Sequence, residues 1–199
     1  CHSGSVPSTW VVGNSKTMTI NGTSYQIDII GKNHDTYASG GKAPLTFQLH
    51  DCYGETKNMN SSNTNSGGWK NSTMRTTHLP AILALMPTEV QNGIREVSKK
   101  ASVGGASSTI ETVSDKLFLL SEVEIFGSTS YSAAGEGTQY DYYKAGNSKV
   151  KNRNGSAAIW WERSPNAGYS TRFCLVDSGG NASDYYASYA YGVAFGFCL

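Results

Sequence analysis

Trp160-Trp161-Glu162-Arg163-Ser164-Pro165 opens residues 160–199, the most informative part of the chain. Ile159-Trp160-Trp161, Phe173-Cys174-Leu175-Val176 and Val193-Ala194-Phe195-Gly196-Phe197-Cys198-Leu199 are three apolar runs of strand length, separated by Gly- and Asn-rich connections. Two of the connections, Asn166-Ala167-Gly168-Tyr169-Ser170-Thr171-Arg172 and Asn181-Ala182-Ser183-Asp184-Tyr185-Tyr186-Ala187-Ser188-Tyr189-Ala190-Tyr191, are dense in Tyr, Ser, Asn and Asp. Tyr offers a large amphipathic contact area at low rotamer entropy, while Ser, Asn and Gly supply adaptable hydrogen bonds. The pairing of a rigid skeleton with such connections reads as a recognition surface. The competing reading is a Tyr-rich edge strand or a plain polar loop.

Working outward, Asn21-Gly22 lies between Thr17-Met18-Thr19-Ile20 and Tyr25-Gln26-Ile27-Asp28-Ile29-Ile30, the strongest short-range hairpin signal. Residues 58–68 are nearly all Asn, Ser, Thr and Gly, too polar to pack, and are expected to form an exposed loop. Residues 69–99 change to a helical pattern divided by Pro80 and Pro87. Two short helices are predicted, the second starting near Pro87-Thr88-Glu89, ending between Arg95 and Lys100, and burying Val90, Ile94 and Val97. Lys116-Leu117-Phe118-Leu119-Leu120 is predicted as a buried strand, and Ser121-Glu122-Val123-Glu124 as either a helical turn or a polar-edged strand. Residues 127–151, polar and punctuated by Gly, read as a long excursion over the surface. At 199 residues the chain is read as one domain.

The 16 Lys and Arg balance the 15 Asp and Glu, and no basic stripe exists to neutralise a phosphate backbone, so nucleic acid is not an expected partner. No apolar run approaches the roughly 20 residues that span a bilayer. A charged fraction of 16% with 22 Gly and abundant Ser, Thr and Asn leans towards an extracellular or virion protein. The chain begins at Cys1, read as a processed form or an excised domain, with a lipidated N-terminal cysteine as the alternative. The four Cys lack zinc or redox spacing; Cys174 and Cys198 are read as structural, on neighbouring strands, bridged or as buried thiols.

Few residues suggest catalysis. His34-Asp35 lacks a nucleophile-elbow motif and is assigned a structural hydrogen-bonding role. The remaining histidines lack helical zinc spacing, and Glu122 with Glu124 reads as a solvated edge. Asp141 near Glu136 could hold a structural Ca²⁺, but no oxygen-ligand loop is recognisable, so neither metal nor cofactor is assigned. Adjacent Trp160 and Trp161 should point to opposite faces, one in the core and one partly exposed. Arg163 is expected to make a buried ion pair.

From Trp160-Trp161-Glu162-Arg163-Ser164-Pro165 through Phe173, Val176, Gly180 and Gly192-Val193 to Phe197-Cys198-Leu199, the chain resembles a bacterial and phage domain family whose members usually read WW-L-RSP and, near the end, GVRP-A/G-F. The likeness extends upstream through Ile29-Ile30-Gly31-Lys32-Asn33-His34-Asp35, Gly67-Gly68-Trp69 with Met74-Arg75, and Asp115-Lys116-Leu117-Phe118-Leu119-Leu120-Ser121-Glu122-Val123-Glu124. Glu162 stands where Leu is usual and Ala194-Phe195 where Arg-Pro is usual, read as either diversified contacts or drift. The family is related to the C-type-lectin fold shared with formylglycine-generating enzymes and includes variable proteins diversified by retroelements. The resemblance implies an α+β, C-type-lectin-like single domain with paired N- and C-terminal strands, two helices and long surface loops, diversified within residues 153–199.

The function so implied is a non-enzymatic binding domain on a phage tail or bacterial surface, meeting a protein or glycan receptor, with homo-oligomerisation open. The alternatives are a structural module of a tail fibre or surface protein, or an enzyme on the same fold. The expected ligand contacts are Glu162, Tyr169, Thr171, Arg172, Asp177, Ser183, Asp184, Tyr185, Tyr186, Ser188, Tyr189, Tyr191 and Phe195, with Tyr side chains as anchors and the charged residues setting polarity.

Overall fold

The computed structural model describes residues 6–199; Cys1, with the expectations attached to it, and His2 lie outside the described residues. The Asn-Gly signal holds. β1 (Ser15–Ile20) and β2 (Thr23–Gly31) pair antiparallel across a turn in which Asn21 (φ 47°) and Gly22 (φ 76°) both take the left-handed conformation that Asn-Gly tolerates. β3 (Thr46–Leu49), buried throughout, pairs with β2.

A helical stretch follows: α1 (Gly68–Asn71), a π-helical turn at Met74–His78, α2 (Leu79–Ala84) and α3 (Thr88–Gly93). The predicted extension to Lys100 does not occur. β4 (Val97–Ser102) begins instead, because Val97, Lys99 and Ala101 alternate inwards while the chain pairs with β5 (Ile110–Asp115). β6 (Leu117–Phe118) is the buried strand expected there. Ser121 then takes the helical alternative. Its hydroxyl accepts the Glu124 N–H while the Glu124 carboxylate accepts the Ser121 N–H, a capping box that opens α4 (Glu122–Phe126). After α5 (Asp141–Lys144) come the hairpin β7 (Lys151–Arg153) and β8 (Ser156–Ala158), then β9 (Trp160–Pro165), β10 (Arg172–Val176), β11 (Ala182–Tyr186) and β12 (Gly196–Cys198).

The architecture is mixed, mostly strands with a few short helices. One sheet runs β1-β2-β3-β12-β6 and a second β11-β10-β9; β4-β5 and β7-β8 are separate hairpins. The first and last strands share a sheet but do not pair, which corrects the expected arrangement. β12 lies between β3 and β6, where Phe197 registers with Phe47 and their rings stack at 5.4 Å. Among the described residues five short α-helices stand where two were expected.

Trp160 and Trp161 are both fully buried, because loops cover both faces of β9: the Trp160 indole donates to the Lys149 carbonyl and that of Trp161 to the Lys57 carbonyl. Gly192 permits the close approach beside them, since a Cβ there would sit 2.6 Å from Cys52 Sγ and 2.8 Å from the Ile159 carbonyl. Residues 127–151 run mostly over the surface, as expected, but are anchored at a few buried positions. Glu136, Tyr140 and Tyr143 are buried, and the Tyr140 and Tyr143 hydroxyls donate to Asp35 and Gln48 of the first sheet's surroundings. Cys174 and Cys198 lie on different sheets as free buried thiols, as is Cys52, and burial raises all three above the usual thiol range.

Candidate ligand-binding face

A charged brace is built on β9, two strands from β11 in the same sheet. Arg163, fully buried on β9, makes two bonds to Glu124, Nη1 to Oε2 at 2.5 Å and Nη2 to Oε1 at 2.9 Å, and donates also to the carbonyls of Lys100, Leu119 and Glu136. Lys99 Nζ reaches Glu124 Oε1 (2.7 Å), Asp35 Oδ1 (2.8 Å) and the Tyr140 hydroxyl (3.0 Å). Burial alone would raise the Asp35 and Glu124 carboxyls; Lys99 at the former, and Arg163 with Lys99 at the latter, hold both below the usual carboxylate range. Two cations and two carboxylates are thus matched with their donors occupied, which ties β9 to α4 and β4. The buried pair expected of Arg163 is present, and Asp35 has the structural role expected of it.

A cavity of about 380 Å³ opens over this brace, with His34, Lys99, Glu124 and Glu136 in its walls. His34 stacks on Tyr140 at 4.0 Å. Glu136 accepts the Ser102 N–H and the Ser164 hydroxyl, and burial pushes its carboxyl up to about 7. Glu122 is fully buried rather than solvated, and its carboxylate accepts the N–H groups of Ser130, Tyr131 and Ser132, fixing that loop; Glu124 is equally buried.

The brace supports β9, β9 supports β10, and β10 presents β11 and the two Tyr-rich loops. Asn65 holds the first loop: its amide donates to the carbonyls of Asn166, Tyr169 and Arg172 at 3.2, 3.0 and 2.7 Å, while its side-chain oxygen accepts the Gly105 N–H at 2.7 Å. Tyr169 therefore projects from a fixed main chain with 59% of its surface exposed. The Arg172 guanidinium lies 4.8 Å from the ring centres of both Tyr169 and Tyr186, a cation sandwiched by two aromatics. Asp184 flanks it, with Arg172 Nη1 at 3.5 Å and the Asn166 amide donating at 2.5 Å.

Past β11 the tyrosines pack on one another. Tyr185 meets Tyr189 edge to face at 4.9 Å and Tyr191 at 5.8 Å, and Tyr191 rests on buried Trp161 at 5.2 Å. Tyr185 and Tyr189 remain 39% and 49% exposed. The second loop is held as the first is. The Lys57 and Tyr191 backbones exchange hydrogen bonds at 2.9 and 3.1 Å, and Ser188 donates through both N–H and hydroxyl to Asn63. Beside Tyr191, a cavity of about 260 Å³ is walled by Arg153, Ala157, Ile159 and Gly192.

Tyr169, Thr171, Arg172, Asp184, Tyr185, Tyr186, Ser188, Tyr189 and Tyr191 thus come together as exposed or half-buried residues on β11 and its two flanking loops. Ser183 is half-buried within β11. Asp177 sits at the far end of the β10–β11 hairpin, its carboxylate accepting the Gly179 and Asn181 N–H groups of the turn. Two expected contacts are corrected: Glu162 and Phe195 are fully buried. Glu162 lies on a strand whose faces are both covered, and Phe195 forms part of the core leading into β12. The residues missed are the supports, Asn63, Asn65 and Asn166. Residues 58–68 are no free loop, for Met59, Asn60 and Asn65 are buried. Asn readily bonds to main chain in turns, but nothing in the residue order distinguishes Asn65 from its neighbours.

Among the described residues no helix is long and apolar enough to cross a membrane. Neither a curated protein nor a solved structure matches the chain. Residues 36–199 match the family described as a domain of unknown function (DUF6273), a span running from before β3 to the end of β12 and including β11, both loops and, of the brace, Lys99, Glu124 and Arg163. On that match, which covers most of its length, the chain belongs to the DUF6273 family.

Proposed function

We propose that this domain is a non-enzymatic binding protein with a changeable ligand face on a C-type-lectin-like scaffold, of the kind that retroelements diversify, displayed on a phage tail or bacterial surface. Its partner is a protein or glycan on a target cell, and no cofactor takes part. The observation that carries this reading is the separation of roles at the face. Tyr169, Tyr185 and Tyr189 are exposed, while Asn65, Asn63 and the Lys57 main chain hold the backbone from which they project. Side chains there can be exchanged without disturbing the bonds that shape the loops, as a changeable face requires. Clustered aromatics around an Arg are the usual anchors of protein interfaces.

The test is binding of the labelled domain to a panel of intact bacterial cells, before and after Tyr185→Ala and Tyr189→Ala. Each substitution should weaken recognition of a bound cell type by about 1–3 kcal/mol and leave the melting transition nearly unmoved. Undiminished binding by both variants would overturn the assignment of the face.

A further inference from the structure

We propose that the ligand face takes an extended polypeptide segment of its partner as an added strand on the open edge of β11. This rests on the binding reading above and narrows its partner to a protein segment.

β11 is the outer strand of the order β11-β10-β9. Its register with β10 pairs Arg172 with Tyr186 and Val176 with Ala182. Beyond the two ends of that ladder, Ala187 N–H donates to the Thr171 carbonyl and Asp177 N–H to the Asn181 carbonyl. In an antiparallel pair the hydrogen-bonded positions alternate, so Asn181, Ser183, Tyr185 and Ala187 turn their backbone groups towards β10. Ala182, Asp184 and Tyr186 turn theirs outwards. Tyr186 C=O accepts the Tyr189 N–H. The Asp184 and Tyr186 N–H groups and the Ala182 and Asp184 carbonyls have no partner among the described residues. Donors and acceptors recurring at the two-residue strand spacing match the main chain of another strand, a complementarity that a glycan's hydroxyls do not repeat.

The edge also lacks the usual guards against pairing. Ala182-Ser183-Asp184-Tyr185-Tyr186 contains no Pro and no Lys, whereas β1, the outer strand of the larger sheet, carries Lys16. Its one charge, Asp184, is drawn inwards by Asn166 and Arg172. The side chains beside the edge would contact those of the incoming strand. Tyr185 packs on Tyr189 and Tyr191, and the Tyr186 ring meets Tyr185 at 5.6 Å and Tyr189 at 6.4 Å while resting on the Arg172 guanidinium, whose Nε is buried without a partner. Main-chain bonds supply sequence-tolerant affinity and the changeable tyrosines supply selectivity, a division suited to a face that must meet different partners.

The probe is a ten-residue peptide selected on this domain from a random displayed library, synthesised, and then N-methylated one amide at a time. Methylation at amides facing β11 should weaken binding about ten-fold each while methylation at the intervening amides does little, so losses alternate along the peptide. Tyr185→Ala should weaken the parent peptide as well. Losses from Tyr185→Ala without alternation would overturn strand addition and leave the binding face standing. Insensitivity to both, or a library yielding no binder that Tyr185→Ala affects, would overturn both. Light scattering completes the test: a dimer dispersed by the peptide would assign the edge to a second copy of this chain and overturn a foreign partner, and a monomer is the expected result.

Discussion

Replacing Glu162 with Leu should stabilise the protein. Glu162 is fully buried on β9, and neither carboxyl oxygen has a hydrogen-bond partner. Burial, reinforced by the nearby carboxyls of Glu122 and Glu136, raises its pKa well above the usual range, so the native state holds it as a neutral acid. An unpaired buried polar group costs about 1–3 kcal/mol, and leucine, of similar size, requires no partner. The expected gain is about 2 kcal/mol near neutral pH, equivalent to about 4–8 °C in melting temperature for a chain of this length. The sign of the pH dependence follows from the raised pKa. Below the ordinary carboxyl pKa both folded and unfolded states are protonated; as pH rises above it, only the unfolded state releases the proton, so the native protein loses stability that the Leu variant keeps. Denaturant unfolding at pH 5 and pH 8 should therefore show a larger gain at pH 8. Glu162→Gln separates the two effects, flattening the pH dependence while retaining unpaired polar atoms. A Leu variant less stable than wild type at both pH values would refute the reasoning.

Arg163→Met should cost about 3–5 kcal/mol, because it strands Glu124 beside Lys99 inside the protein, as read by denaturant unfolding. Asn65→Ala removes the amide that three carbonyls share and the acceptor of the Gly105 N–H; it should cost about 2–3 kcal/mol and speed hydrogen exchange across residues 166–172. The Glu136 carboxyl, pushed up to about 7 from the ordinary value near 4.5, should withdraw about 3 kcal/mol of stability between those pH values. In Glu136→Gln that slope should be absent.

Local signals were legible where the chain's own geometry decides the outcome. Asn21-Gly22 demands a left-handed turn and Phe173 to Val176 is too apolar to lie anywhere but inside, while Ser121 to Glu124 fits a helical turn or a strand by sequence and forms the capped helix. Burial set by distant partners was not legible. Glu124 and Tyr140 look like residues of a wet surface until Arg163, Lys99 and Asp35 arrive from other elements to satisfy them. Two-residue alternation likewise placed one of Trp160 and Trp161 outside, and it fails because β9 is covered on both faces. The same covering buries Glu162 away from the exposed tyrosines. The tyrosines of β11 and its loops were found by composition alone, whereas the Asn residues supporting them look like ordinary loop.

A changeable face on a constant scaffold leaves a genetic record, which is read by sequencing the region that encodes residues 160–199 across a natural population, together with the neighbouring DNA. The expected result is substitutions concentrated at Tyr169, Thr171, Arg172, Asp184, Tyr185, Tyr186, Ser188, Tyr189 and Tyr191, a constant Trp160, Trp161, Arg163 and Phe173, and an imperfect repeat beside a reverse transcriptase. Alleles in which the exposed tyrosines are as constant as the core, with no such repeat, would contradict it.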